Sequence, residues 1–137
     1  MNPSGSTAED PPTVLVVDDE PSIRALIAAA LRGRGYRVLQ ASDGIQAIGL
    51  VGSHRPNLVL LDVALPLLSG HEVCRRLRRD PATARTPVLL LSGIAGRAEA
   101  EFARSLGAQG VIGKPFAPAE LLQRVAQALP RPVPASG

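Results

Sequence analysis

Aromatic side chains are almost absent: none of the 137 residues is Trp, one is Tyr and two are Phe. The core must therefore be aliphatic, and no base-stacking platform for nucleic acid is evident. A single cysteine, Cys74, can form neither an internal disulfide nor a multi-cysteine zinc site, which is what a reducing cytoplasm permits. No uninterrupted apolar run reaches the roughly 18 residues of a membrane span. The start, MNPSGSTAEDPPT, lacks the basic and apolar regions of a secretory signal. A cytoplasmic location without membrane attachment is expected. Fifteen Lys+Arg against twelve Asp+Glu give a formal charge of +3, too small a surplus to argue for DNA, and DNA binding is not expected. Lysine is the scarcest charge: fourteen of the fifteen basic residues are Arg, and the exception is Lys114.

What is present, 45% hydrophobic and 20% charged residues, fits one globular domain. Residues 1–12 read as a flexible leader and 130–137 as a disordered tail, both rich in proline and without apolar period. Between them the run Val14–Val17 is short, continuous and β-branched, as a strand buried on both faces should be. From Pro21, residues Ile23, Leu26, Ile27, Ala30 and Leu31 recur at helical spacing until Gly33 and Gly35. The pair then repeats: strand Arg37–Ala41, helix Asp43–His54, strand Leu58–Leu61, helix His71–Arg79 opened by Gly70. Strand Val88–Leu91, helix Arg97–Leu106, strand Gly110–Ile112 and helix Pro118–Leu129 complete the series. Five strands alternating with five helices predict an α/β, doubly wound parallel sheet with helices on both faces, a three-layer sandwich.

Ligands of such sheets bind beyond the carboxyl ends of the strands. There the sequence places Asp18 and Asp19, Asp62, Ser92 and Gly93, and Lys114 with Pro115. Three gathered carboxylates repel one another by about 4 kcal/mol per pair at ~4 Å unless a cation or a proton intervenes. A hard divalent cation with oxygen ligands is the simplest relief, held by Asp19, Asp62 and a backbone carbonyl such as that of Ala64, with Asp18 acting through water. The competing reading, that Asp18 or Asp19 merely caps the next helix, weakens once Asp62 joins the pair. No Gly-rich phosphate loop follows the first strand, which argues against a P-loop enzyme, a dinucleotide-binding fold and an FMN carrier.

The segments VLVVDDEPSIR, LVLLDVALPLLSG, VLLLSG and GAQGVIGKPF, in this order and spacing, resemble the receiver domain of bacterial response regulators over residues 13–129. The resemblance implies a flavodoxin-like sheet of order 2-1-3-4-5. It makes Asp62 the acceptor of a phosphoryl group from a sensor histidine kinase or histidine phosphotransfer protein, and Asp18 and Asp19 the Mg²⁺ (or Mn²⁺) pair. Lys114 and the Ser92 hydroxyl would then meet phosphoryl oxygens, with Gly93 leaving room and the Lys114–Pro115 peptide cis. Such a protein is a phosphoacceptor that assists its own phosphorylation and dephosphorylation rather than an enzyme. Read this way, the chain is a stand-alone two-component switch, a monomer or a phosphorylation-promoted dimer. Its fourth helix, fifth strand and fifth helix would meet a downstream protein. The alternative is a small Mg²⁺-dependent phosphatase or phosphotransferase working through an aspartyl phosphate. That chemistry needs a second acid, whereas Asp62 is followed by Val63 and Ala64.

Three positions depart from the family. Val111 stands where an aromatic switch residue is usual, so the switch is expected in Ser92–Gly96, with Val111 filling space. Ala64 and Ile94, two residues beyond Asp62 and Ser92, can neither hold nor activate a water, and a long-lived phosphate is expected. Leu65 replaces a common Met. His54 and His71 read as surface histidines, Cys74 as a small buried hydrophobe, and the run Arg75-Arg76-Leu77-Arg78-Arg79 as a solvated helix face.

Overall fold

A computed structural model of the protein describes residues 10–94 and 96–129. The chain alternates β1 (Thr13–Val17), α1 (Pro21–Gly33), β2 (Arg37–Ala41), α2 (Gly44–His54), β3 (Leu58–Asp62), α3 (Gly70–Arg79), β4 (Val88–Ser92), α4 (Arg97–Ser105), β5 (Gly110–Gly113) and α5 (Pro118–Ala128). The five strands form one parallel sheet ordered β2-β1-β3-β4-β5. The strand order reverses beside β1, which places the crevice at the carboxyl ends of β1 and β3.

The two-sided burial of the sheet follows from strand period. Leu15, Val17, Val59, Leu61, Val88 and Leu90 turn to one face, where Ala47 and Val51 of α2, Val73, Cys74 and Leu77 of α3, and Ala103 of α4 cover them. Val14, Val16, Leu58, Leu60, Leu89 and Leu91 turn to the other, under Ile27 and Leu31 of α1 and Leu121 and Val125 of α5. Every residue of β3 and β4 is buried. Burying each such aliphatic side chain contributes roughly 1.5–3 kcal/mol, so the core needs no aromatic residue.

Element ends differ from the sequence expectations by single residues, with local causes. Asp43 is the cap of α2 rather than its first residue, its carboxylate accepting from Gln46 N. Ser69 caps α3 in the same way, through Glu72 N. Strands β3 and β4 each run one residue further, so that Asp62 and Ser92 are the last rungs of the ladder. Helices α4 and α5 stop at Ser105 and Ala128. Of the expected leader only residues 10–12 are described, and the expected tail lies outside the described residues. Among the described residues no helix is long and apolar enough to cross a membrane.

Candidate active site

Strand ends that neighbour one another in the sheet bring five side chains together. Asp62 closes β3, flanked by Asp18 and Asp19 after β1 and by Ser92 at the end of β4, with Lys114 just past β5. One carboxylate oxygen from each of Asp18, Asp19 and Asp62 lies within 4.8 Å of the others. Asp18 is fully buried and Asp62 is 4% exposed, whereas Asp19 is exposed. The Lys114 ammonium bridges the buried two, with Nζ 2.9 Å from Asp18 Oδ2 and 3.1 Å from Asp62 Oδ2.

The remaining oxygens are also occupied. Asp62 Oδ1 accepts from the Ala64 amide at 3.2 Å, and Asp18 Oδ1 from the Glu20 amide at 3.0 Å. Burial raises the Asp62 carboxyl above its ordinary value, a push that the Lys114 and Ala64 hydrogen bonds oppose and the Asp18 charge reinforces. For Lys114, burial works against the charge, but hydrogen bonds to Asp18 and Asp62 overcome it and raise the ammonium above its ordinary value. The lysine is held in register by its amide on Ser92 O at 2.8 Å, and its peptide to Pro115 is cis. Three convergent carboxylates, one of them open to solvent, are a donor set suited to a hard divalent cation. Capping is not the role of this pair: Glu20 precedes α1 without a side-chain cap bond, and Pro21 opens the helix.

The other expected site residues lie on or just beyond β3, β4 and β5. The Ser92 hydroxyl is engaged within its own turn, donating to Ile94 O at 3.0 Å and accepting from Ile94 N at 3.1 Å. Gly93 has open space where a Cβ would stand, so the fold itself does not require a glycine there. Ile94 is 79% exposed, and Ala64 is exposed too. Val111 is half-buried against the core, and its carbonyl accepts from Arg124 Nη1 at 3.1 Å. Pro115 lines an open apolar groove of about 400 Å³ with Glu20, Ile23, Leu26, Lys114 and Phe116.

Several features were not apparent from the sequence. Gly70 reads there only as the opening of a helix, yet a Cβ on it would stand 2.4 Å from the Asp62 carbonyl oxygen. Gly44 is confined likewise, by Val73 and Leu68. Leu67, 73% exposed, holds a left-handed backbone at φ +71° that leucine rarely adopts. His71 is not a free surface histidine: its Nε2 is 2.9 Å from Glu99 Oε2, and its ring meets Phe102 edge-on at 4.7 Å, tying α3 to α4. His54 is exposed, as expected. The arginine run is only partly a solvated face, because Arg78 donates to the carbonyls of Gly107 and Ala84. Arg75 and Arg76 pair with Glu72. Cys74 is buried as expected, its thiol 3.3 Å from Leu106 O and raised by burial.

The chain has known relatives in sequence and in fold. Residues 14–126 match the family described as the response regulator receiver domain. The chain is 40% identical over 120 residues to the DNA-binding dual master transcriptional regulator RpaA of Synechocystis, covering 88% of this chain and 50% of that protein. It is also 40% identical over 122 residues to the phosphate regulon transcriptional regulatory protein PhoB of Pseudomonas aeruginosa, with coverages of 89% and 53%. It thus spans about half the length of these curated relatives. Among solved structures, a chemotaxis response regulator of Vibrio cholerae superposes with a TM-score of 0.82 at 31% identity, over 87% of this chain and 99% of that one. The receiver domain of a Pseudomonas aeruginosa sensor histidine kinase, solved with magnesium coordinated in its active-site cleft, gives 0.78 at 32% identity over 86% and 97%. Fold and sequence agree, and the chain belongs to the receiver domains of two-component response regulators.

Proposed function

We propose that Asp62 is the phosphoacceptor of this receiver, taking its phosphoryl group from a phosphohistidine of a sensor kinase or phosphotransfer protein in a Mg²⁺- or Mn²⁺-dependent reaction. The observation that carries this is the Asp62 carboxylate at the end of β3, with an ammonium on one oxygen and two further carboxylates within 4.8 Å. Asp18, Asp19 and Asp62, with the Ala64 carbonyl, would hold the cation, which supplies neutralisation of the phosphoryl oxygens. A carboxylate oxygen of Asp62 attacks phosphorus, the P–N bond breaks, and its electron pair leaves with the imidazole nitrogen. Lys114 exchanges its carboxylate partners for a phosphoryl oxygen, a compact charge already at the site. The groove along Ile23, Leu26, Pro115 and Phe116 offers the donor protein an apolar seat beside that lysine.

The switch begins at Ser92. To donate to a phosphoryl oxygen its hydroxyl must surrender Ile94 O, and the turn after β4 moves with it. Val111 has no ring to swing inward, so the signal travels through this turn to the surface of α4, β5 and α5, where a downstream protein binds. With apolar Ile94 and Ala64 beside Asp62, neither side chain can activate water, which favours a long-lived aspartyl phosphate. The chain is thus a phosphoacceptor rather than an enzyme, and phosphorylation makes the same demands whether or not an output module is joined to it.

The test is incubation with acetyl phosphate and Mg²⁺, followed by intact mass. A stable gain of one phosphoryl group, lost in Asp62→Asn and in EDTA, is expected. Consumption of acetyl phosphate without an adduct would instead support the phosphatase alternative, and an adduct that persists in Asp62→Asn would overturn the assignment.

A further inference from the structure

The β1–α1 loop carries two of the three site carboxylates, and a side chain from outside the site is bonded to its backbone. Arg24, in the first turns of α1, takes a helical bond from its amide to Glu20 O at 3.0 Å, while its side chain reaches back toward the sheet. Nη1 donates to the Asp18 carbonyl oxygen at 2.8 Å, and Nε donates to Gln40 Oε1 on β2 at 3.3 Å. Among the described residues this guanidinium is the donor found on that carbonyl. Asp18 is thereby held at every polar atom: its amide on Ala41 O, its two carboxylate oxygens on the Glu20 amide and Lys114 Nζ, and its carbonyl on Arg24.

Asp19 has no such support. It is exposed and has no hydrogen-bonding partner of its own among the described residues, so its direction is inherited from the peptide that joins it to Asp18. That peptide's oxygen is the atom Arg24 grips with a charge-assisted bond, the stronger kind.

We propose that Arg24 is a positioning residue for the divalent-cation site, clamping the Asp18 carbonyl so that Asp19 presents its carboxylate toward Asp62. The proposal rests on the reading of this cluster as a cation site. A bystander charge at this position would act with the opposite sign. A guanidinium near a cation site acts through its charge to weaken cation binding, and its removal would then tighten binding. A clamp acts the opposite way, and its removal loosens binding. Partners that orient metal ligands change metal affinity by roughly 10–100-fold when removed.

The experiment is direct Mn²⁺ binding, followed by loss of the free-ion electron paramagnetic resonance signal, with Mn²⁺ alone as the probe. Arg24→Met is expected to bind about tenfold more weakly than the unaltered protein, and Arg24→Lys, which keeps charge and a donor, to recover part of the loss. Gln40→Leu, which removes the guanidinium's other anchor and leaves Arg24 in place, should lose less than Arg24→Met. It remains informative if Arg24→Met does not fold. Urea midpoints without metal, read in parallel, separate loss of the clamp from loss of the fold. Equal or tighter Mn²⁺ binding by Arg24→Met would overturn the clamp while leaving the cation site intact. No binding by the unaltered protein would overturn the site reading, and the clamp with it.

Discussion

Asp62→Asn should make the metal-free protein more stable, although it removes one partner of an ion pair. At the 4.8 Å outer limit of their separation and an effective dielectric of about 20, Asp62 repels each of Asp18 and Asp19 by at least roughly 3.5 kcal/mol, about 7 kcal/mol in all. Lys114 at 3.1 Å returns roughly 5 kcal/mol on the same scale. About 2 kcal/mol of net repulsion remains on this scale, and burial, the chief cause of the raised Asp62 carboxyl, adds to it. The asparagine keeps the shape and a carbonyl for the ammonium. Urea denaturation followed by far-UV circular dichroism, in EDTA near neutral pH, should show Asp62→Asn ahead by about 2 kcal/mol, equivalent to some 6 °C in Tm. The pH dependence fixes the cause. A carboxyl whose folded value lies above its ordinary 3.8 imposes nothing below that pH, where it is protonated in both states, and its penalty grows as pH rises through the folded value. The advantage of the asparagine should therefore vanish in acid. Saturating Mg²⁺ should shrink it from the other side, because the unaltered native state binds the ion more tightly. An asparagine variant less stable than its parent in EDTA, or an advantage that grows toward low pH, would overturn this account of Asp62.

Other perturbations follow from named contacts. Gly70→Ala drives a methyl to 2.4 Å from the Asp62 carbonyl and should lower stability by about 1–3 kcal/mol in urea, with slowed phosphorylation as the strand end shifts. His71→Ala severs the link to Glu99 and Phe102, and a loss of about 1 kcal/mol is expected. Amide exchange should quicken across Arg97–Ser105 more than within α3, and uniform exchange would count against the link. Ala64→Glu combined with Ile94→Asn supplies polar groups beside Asp62 and should shorten the life of the aspartyl phosphate by at least about tenfold. Intact mass against time reads it, and an unaltered lifetime would sink the role given to these positions.

The fold was legible because each strand is a short continuous aliphatic run bounded by a helix, and the carboxyl-end rule then gathered Asp18, Asp19, Asp62, Ser92 and Lys114 without further help. Contacts between a side chain and a distant backbone atom were not legible. Nothing in the spelling of Arg24 marks it for the Asp18 carbonyl, since arginine on α1 reads equally as a solvated charge. His71 and Glu99 lie 28 positions apart, and only the packing of α3 beside α4 brings them together. Gly70 resembles any glycine that opens a helix until the Asp62 carbonyl is seen against its Cα. The start of α2 slipped by a residue because its cap, Asp43, has strand-like backbone but stands next to helical residues.

The scarcity of lysine gives the protein a built-in reporter. Apart from an α-amino group, Lys114 is the sole amine in the sequence, so amine-directed reagents become site-directed ones. With its proton held by two carboxylates, the ammonium reacts sluggishly. Any event that changes those partners alters the acylation rate of one identifiable peptide, which makes occupancy of the site readable by peptide mapping with no engineered label.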